Sequence, residues 1–411
     1  MEEVYVTGLG VVSSIGHALP EFWAALTAGV SRVGPVTRFS TRGMLTHVAA
    51  EIRDFPRPSP YLLPEEMQNR LTAQLLLLSV GREALDQAGL LSAQKESLLP
   101  GLEIAIGSNL GDFVPLLEQI NRELQSSEAS AIKRALVPLM LSDNAFRGLG
   151  FNLAGRLRAS GAQCILSNAC AAGAYAISLA AERIRQGKSQ AALCGGVEIL
   201  SEAVYSGFNC LRALAPARCQ PFDKNRQGMV FGEAAAAMVL ESQTSLRARG
   251  GRALARLAGW GWSADAYHLS APHPAGRGTV LALRRALALA RLDPGQIDCL
   301  VAHGTGTPSN DRAEAGAFLE VFGKNPPPAT APKSVLGHSI GAASAVEALV
   351  GVQIVQTGMI PPTINYETPD PDCPLDVVPN VARRQNVTHC QTNALSFGGN
   401  NVSLIFTQPD F

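Results

Sequence analysis

The sequence predicts an α/β protein of two domains or of one large duplicated one. Strand-like runs alternate with helix-like ones from the first residues onward, and the alternation starts again near Ala253. A chain of 411 residues with 46% apolar and 17% charged side chains also buries a core too large for one small domain.

In chain order, Val4 to Gly8 reads as a first strand of β-branched and aromatic residues. Leu71 to Ala88 carries apolar residues at three and four spacing, the signature of a helix face. Strands follow at Glu103 to Gly107 and Gln163 to Leu166, then a helix at Ala171 to Gln186. Two more strands, Ala191 to Cys194 and Ala235 to Glu241, complete the first round. After Gly250-Gly251, the expected seam, the order repeats: strand Ala253 to Trp260, helix Thr279 to Ala290, strand Cys299 to Ala302, helix Arg312 to Phe322, strand Ser403 to Phe406. The expected halves are 1–250 and 251–411. A short echo supports them, since 192–197 and 394–399 each read as a strand ending in paired glycines.

Composition excludes several classes. Lys plus Arg and Asp plus Glu both total 34, so no global field favours nucleic acid, and an acidic partner must meet a local patch. The eight cysteines form no CxxC pair, which argues against a metal cluster and for small core residues. No basic, apolar, cleavable leader precedes Val4, and no run approaches the roughly 20 apolar residues of a membrane span, so a soluble, reduced, cytoplasmic protein is expected. Gly8-Leu9-Gly10 follows a strand but lacks the third glycine of a dinucleotide fingerprint, and no acidic residue ends a second strand about 20 residues on.

Three turns carry chemistry. Cys170 sits where a short strand meets an alanine-rich helix, in Ser167-Asn168-Ala169-Cys170-Ala171-Ala172-Gly173-Ala174. An ordinary cysteine, with a pKa near ~8.5, is mostly thiol at neutral pH. A helix N-terminus favours its thiolate, and the small residues after it leave room for an acyl group. His303 enters the turn Gly304-Thr305-Gly306-Thr307-Pro308, and His338 follows Gly337 ahead of a helix of small residues. Either histidine alone is more often structural; the pair, each in a glycine-rich turn, points to carbon–carbon bond chemistry with the thiol. Lys333 and Glu347 flank His338 closely enough to pair, and the Phe397-Gly398-Gly399 turn offers backbone N–H groups to an oxyanion.

Together with Val6-Thr7-Gly8-Leu9-Gly10-Val11-Val12, the run Pro221 to Glu233, Asp265-Ala266-Tyr267-His268, Pro361 to Asn365 and Asn393 to Gly399, these motifs span nearly the whole chain. In that order they resemble the elongating β-ketoacyl-[acyl-carrier-protein] synthases of the thiolase-like superfamily. The resemblance implies a five-layered αβαβα fold of two related halves and a decarboxylative condensation. Cys170 would take an acyl chain as a thioester, with the N–H groups of Cys170 and Phe397 as oxyanion hole. His303 and His338 would promote decarboxylation of a malonyl thioester, and Lys333 and Glu347 would support His338. Thr305 and Thr307 would contact the pantetheine arm, Phe397 would gate the pocket, and Leu110 and Leu136 would set chain length. No metal or dissociable cofactor is implied, because the phosphopantetheine arrives on the acyl-carrier protein. Arg212, Arg70, Lys133 and Arg134 would dock that carrier.

A degradative thiolase would place a second cysteine where this chain has Ser396-Phe397, and a starter-type synthase an asparagine where it has His338. The chain departs from the family at Asn168, where threonine is common, and at Ala234, Ser344 and Ser396, which stand at frequent glycine positions. Pro64-Glu65-Glu66 stands where relatives often present basic residues to the carrier. Fatty-acid and polyketide or polyene pathways both stay open. A homodimer is expected, with a heterodimer alongside a chain-length-factor-like subunit as the variant. The alternative is a structural partner that shapes another ketosynthase's pocket, its own residues idle.

Overall fold

A computed structural model of the chain describes residues 1–55, 60–64, 66, 72–111 and 148–410. Leu136, Arg70, Lys133 and Arg134 lie outside the described residues. Among the described residues, ten strands form one sheet. They are β1 (Val4–Ser13), β2 (Glu103–Gly107), β3 (Gln163–Leu166), β4 (Ala191–Glu198), β5 (Ala234–Ser242), β6 (Ala255–Ala264), β7 (Cys299–Val301), β8 (Ala329–Thr330), β9 (His389–Leu395) and β10 (Asn400–Thr407). The spatial order is β8-β7-β9-β10-β6-β1-β5-β4-β2-β3.

That order is the same five-strand pattern twice. From each outer edge inward run the third, second, fourth, fifth and first strands of a half, with the first three parallel and the last two antiparallel. The halves meet where β1 and β6 pair, at Tyr5–Arg256 and Val6–Ala255.

Seven helices position the site: α1 (Ala73–Gln87), α2 (Gly148–Leu157), α3 (Ala172–Arg185), α4 (Glu202–Cys210), α5 (Arg277–Ala290), α6 (Pro308–Phe322) and α7 (Ala343–Thr357). Strand alternation sorts side chains between layers. On β5, Ala234, Ala236, Met238 and Leu240 face a central core with α3 and α7, whereas Ala235, Ala237 and Val239 face α1 and α2. On β10, Val402, Leu404 and Phe406 face the central core and Ile405 faces α5 and α6. The result is five layers, helices outside, two half-sheets, and α3 with α7 between them. The 18 residues from Ile340 to Thr357 are apolar enough to cross a membrane by length and composition, yet they are mostly buried in this central layer.

Several element boundaries differ from expectation for identifiable reasons. β1 continues to Ser13 instead of ending at Gly8. Its glycines lie under α1, where a Cβ at Gly8 would fall 1.9 Å from the Ala84 carbonyl oxygen and one at Gly10 2.0 Å from that of Val80. They serve sheet–helix contact, not a phosphate loop. Gly195 and Gly196 lie inside β4, so the echo with 394–399 is not a shared strand ending. α6 begins four residues early because Pro308 occupies its first turn. α4, which sequence periodicity did not reveal, starts at the N-cap Ser201, whose hydroxyl accepts from Val204 N–H.

Candidate active site

The site lies at the inner ends of α3 and α7. β3 ends at Leu166, and the chain reverses through Asn168 and Ala169 into a 3₁₀ turn, Ala169–Ala171, before α3 begins. Ala169 has φ +49°, a left-handed conformation that costs an alanine about 1–2 kcal/mol. This sharp elbow holds Cys170 at the entry to α3, 6% exposed. The other half repeats the device: Ile340 has φ +42°, Ile340–Ala342 forms the 3₁₀ turn, and α7 follows. In that repeat Gly341 takes the place of Cys170, and His338 the place of Ser167. Gly337, at φ +71°, turns His338 inward; a Cβ there would stand 2.8 Å from the Phe231 carbonyl oxygen.

His338 Nε2 stands 3.1 Å from Cys170 Sγ. Its Nδ1 accepts the Ile340 N–H at 3.2 Å, which places the ring hydrogen on Nε2. The His303 ring meets that of His338 edge-on, with centroids 5.5 Å apart at 88°. Lys333 Nζ donates to His303 Nδ1 at 3.1 Å, to the His303 carbonyl at 2.7 Å and to Glu347. An ammonium has no lone pair, so His303 also carries its hydrogen on Nε2. Sequence placed Lys333 and Glu347 beside His338; geometry puts them on His303 instead.

Burial, reinforced by the Lys333 charge, holds both imidazoles well below the ordinary histidine range and therefore neutral. Burial pushes the Cys170 thiol up to about 12, opposed by Lys333 and by a Phe397 N–H that donates to the sulfur. The expected helix-terminal thiolate is thus overridden: desolvation wins in the free enzyme, and the resting group is a thiol. Cys170, His303 and His338 present donor atoms within 4.8 Å of one another, a distance that suits a metal. The Nδ1 atoms of both histidines are already taken by Ile340 and Lys333, and hydrogens on Nε2 leave no lone pair to offer there.

A cleft opens over these residues. It is lined by Thr305, Thr307, Phe397 and Arg212 among the expected residues, and by Phe208 and Met229 beside them. Thr305 and Thr307 share a hydroxyl–hydroxyl hydrogen bond of 2.9 Å. Arg212 is exposed at the mouth, with φ +53°. Leu110 does not line this cleft; it lies half-buried beyond β2, its N–H on Glu198 at 3.1 Å. Glu66, expected near a docking surface, instead turns inward to Arg82 at 2.7 Å.

The β-ketoacyl synthase N-terminal domain matches residues 1–245, and the β-ketoacyl synthase C-terminal domain matches residues 254–367. The chain belongs to the β-ketoacyl synthase family. It is 35% identical to Nodulation protein E of Rhizobium sp. (strain N33) over 408 residues, covering 98% of this chain and 99% of the relative. It is 34% identical to 3-oxoacyl-[acyl-carrier-protein] synthase 2 of Coxiella burnetii, covering 98% of each. Among solved structures, it superimposes on a chain of the ishigamide ketosynthase/chain length factor with a TM-score of 0.90, 37% identity and 99% coverage of both chains. As a β-ketoacyl synthase it is an acyltransferase of the condensing kind.

Three features of this β-ketoacyl synthase escaped the sequence. Phe208 on α4 stacks on Phe397, with centroids 5.3 Å apart at 9°. Glu198, at the end of β4, is buried and pushed up to about 7, yet accepts the N–H groups of Asn109, Leu110 and Gly341. Asn109 Nδ2 then donates to the Ala169 carbonyl at 3.1 Å, so one carboxylate braces both elbows. Glu314 on α6 accepts the N–H groups of His303 at 2.7 Å and Gly304 at 2.8 Å and fixes that turn. For Glu198, a carboxylate inside the apolar run 195–200 was the available signal, since unpaired it would not be tolerated.

Proposed function

We propose that Cys170, His303 and His338 carry out a decarboxylative Claisen condensation between an acyl thioester and a malonyl thioester, both delivered on acyl-carrier protein. The observation that carries this reading is a pair of neutral imidazoles, each fixed with hydrogen on Nε2, beside one buried thiol.

The thiol of Cys170 attacks the acyl thioester carbonyl, and the carrier's pantetheine sulfur leaves with the proton. The N–H groups of Cys170 and Phe397 meet the tetrahedral oxyanion; the second residue of a helical segment has no intrahelical acceptor for its N–H. The malonyl thioester then places its carbonyl oxygen between His303 and His338. Loss of carbon dioxide leaves its electron pair on an enolate, whose oxygen the two Nε2–H groups stabilise without first holding the carboxylate. Neutral donors suit that order of events. The enolate carbon attacks the acyl-Cys170 carbonyl, Cys170 departs as a thiolate and takes up a proton from water, and a 3-ketoacyl chain two carbons longer remains on the carrier.

Thr305 and Thr307 hold the pantetheine arm along the cleft, Phe397 gates it, and Arg212 meets the acidic carrier at its mouth. The pathway is fatty-acid or type II polyketide or polyene assembly, in the cytoplasm. A homodimer is the expected assembly. The ishigamide relative, a ketosynthase/chain length factor, supports a heterodimer as the variant. The division between halves at Gly250-Gly251 is supported by the gap between the two matched domains.

Intact-mass spectrometry of wild type and Cys170→Ala, incubated with acyl-carrier thioesters and then malonyl carrier, tests the reading. A Cys170-dependent adduct that turns over to a 3-ketoacyl carrier is the expected result. Folded wild type that takes no acyl group from any donor would overturn it in favour of a non-catalytic subunit.

A further inference from the structure

The two central helices lack caps of their own. α3 follows Ala171 and α7 follows Ala342, alanines in right-handed helical conformation whose side chains make no capping hydrogen bond. The first N–H groups of a helix have no acceptor within it, and residues such as Ser, Thr, Asp or Asn ordinarily supply one. Behind Cys170 the chain has only Ala171, Ala172 and Gly173.

The missing acceptor comes from the other half. Ser344, the second residue of α7 and 2% exposed, accepts the Ala174 N–H with its hydroxyl at 3.0 Å. The equivalent position in the first half is Gly173, and the reciprocal bond is sterically closed. A Cβ at Gly173 would lie 2.7 Å from Ala345 Cβ and 2.8 Å from Ala345 N. The helices therefore touch at their first turns, and the cap runs one way, from the helix after His338 to the helix after Cys170. This also gives a structural role to one departure from the family pattern.

We propose that Ser344 is a positioning residue for the nucleophile. Its cap, delivered in trans, ties the Cys170 elbow to the His338 elbow and keeps Sγ under both the His338 Nε2–H and the Phe397 N–H. The inference rests on Cys170 being the nucleophile.

Three rates in wild type, Ser344→Ala and Ser344→Gly test it: alkylation of Cys170 by iodoacetamide across pH, acyl transfer from acyl-carrier protein, and decarboxylation of malonyl carrier by enzyme already alkylated at Cys170. Glycine removes the hydroxyl with less volume, so the two variants distinguish the cap from packing. With a cap worth about tenfold, alkylation and the kcat of transfer fall about tenfold in both variants, KM holds, and the alkylation profile moves to higher pH. Decarboxylation, which needs the histidines alone, stays within about twofold. Unchanged or faster alkylation overturns the proposal, as does an equal fall in all three rates, which would mark general loosening. If wild type alkylates yet forms no acyl adduct, the condensing reading fails while the alkylation comparison still decides the role of Ser344.

Discussion

Replacing Lys333 with methionine separates two jobs that one ammonium performs. Its Nζ holds His303 Nδ1, the His303 carbonyl and Glu347, and both Lys333 and Glu347 are 2% exposed. Breaking a buried pair by removing one partner costs about 3–5 kcal/mol, because the remaining charge has no compensation. At about 2.1 cal/mol/K of unfolding entropy per residue, a 411-residue chain shifts by about 1.2 °C per kcal/mol, so Lys333→Met lowers Tm by about 4–6 °C. Glu347, already pushed up to about 7 by burial with Lys333 opposing, rises further and takes a proton, which softens that loss. The catalytic effect is separate. Without an ammonium at Nδ1, His303 no longer keeps its hydrogen on Nε2, and losing one oriented donor to a developing oxyanion costs about 10²–10³ in rate. Carbon dioxide release from malonyl carrier, measured on enzyme alkylated at Cys170, reads this without acyl transfer. The double variant Lys333→Met/Glu347→Leu removes both charges, so it regains Tm yet stays slow by the same factor. A single variant that decarboxylates within about fivefold of wild type, or a double variant that recovers the rate, would refute the tautomer argument.

Other outcomes follow from the same geometry. With its thiol held at about 12, Cys170 alkylates about tenfold faster per pH unit between roughly pH 7 and 10, and a plateau below about pH 9 would show a stabilised thiolate instead. Both imidazoles, lowered well below 6.5, gain protons only far into acid, so decarboxylation stays flat as pH falls through 6.5; a half-maximal loss there would contradict their burial. Phe208→Ala removes the ring stacked on Phe397, a contact worth about 0.5–1.5 kcal/mol, and speeds alkylation of Cys170 about two- to tenfold at fixed pH; no change would show that the stack does not hold the turn shut. Arg212→Glu weakens transfer from the carrier protein and leaves the thermal transition in place, whereas unaltered transfer kinetics would remove Arg212 from the docking surface.

The legible part of the site was local. Cys170, His303 and His338 each sit in a short run of small residues next to a strand, a pattern that survives in one dimension. The partners of Lys333 were not local: five residues separate it from His338 and thirty from His303, yet its ammonium touches the latter. Glu198 and Ser344 act between halves, on turns 143 and 170 residues away in sequence, and Asn109 reaches 60 residues to Ala169; periodicity carries no record of that. β1 was read short because glycine ordinarily punctuates a strand. Here Gly8 and Gly10 mark how closely α1 approaches. The fate of the thiol was missed for a related reason, since a helix terminus is visible in sequence and the depth of burial is not.

The doubled strand order also bears on ancestry. Two copies of a half-length chain, associated as the halves are here, would have presented identical elbows at both sites, so any thiol or imidazole would have occurred twice. In one continuous chain the elbows are free to diverge. One keeps sulfur at Cys170 and the other has glycine at Gly341, where a side chain would strike Glu198 at 2.7 Å. Joining such copies would permit a division of labour that a symmetric pair could not encode: under the proposed function, one half holds the acyl group and the other generates the carbanion that meets it.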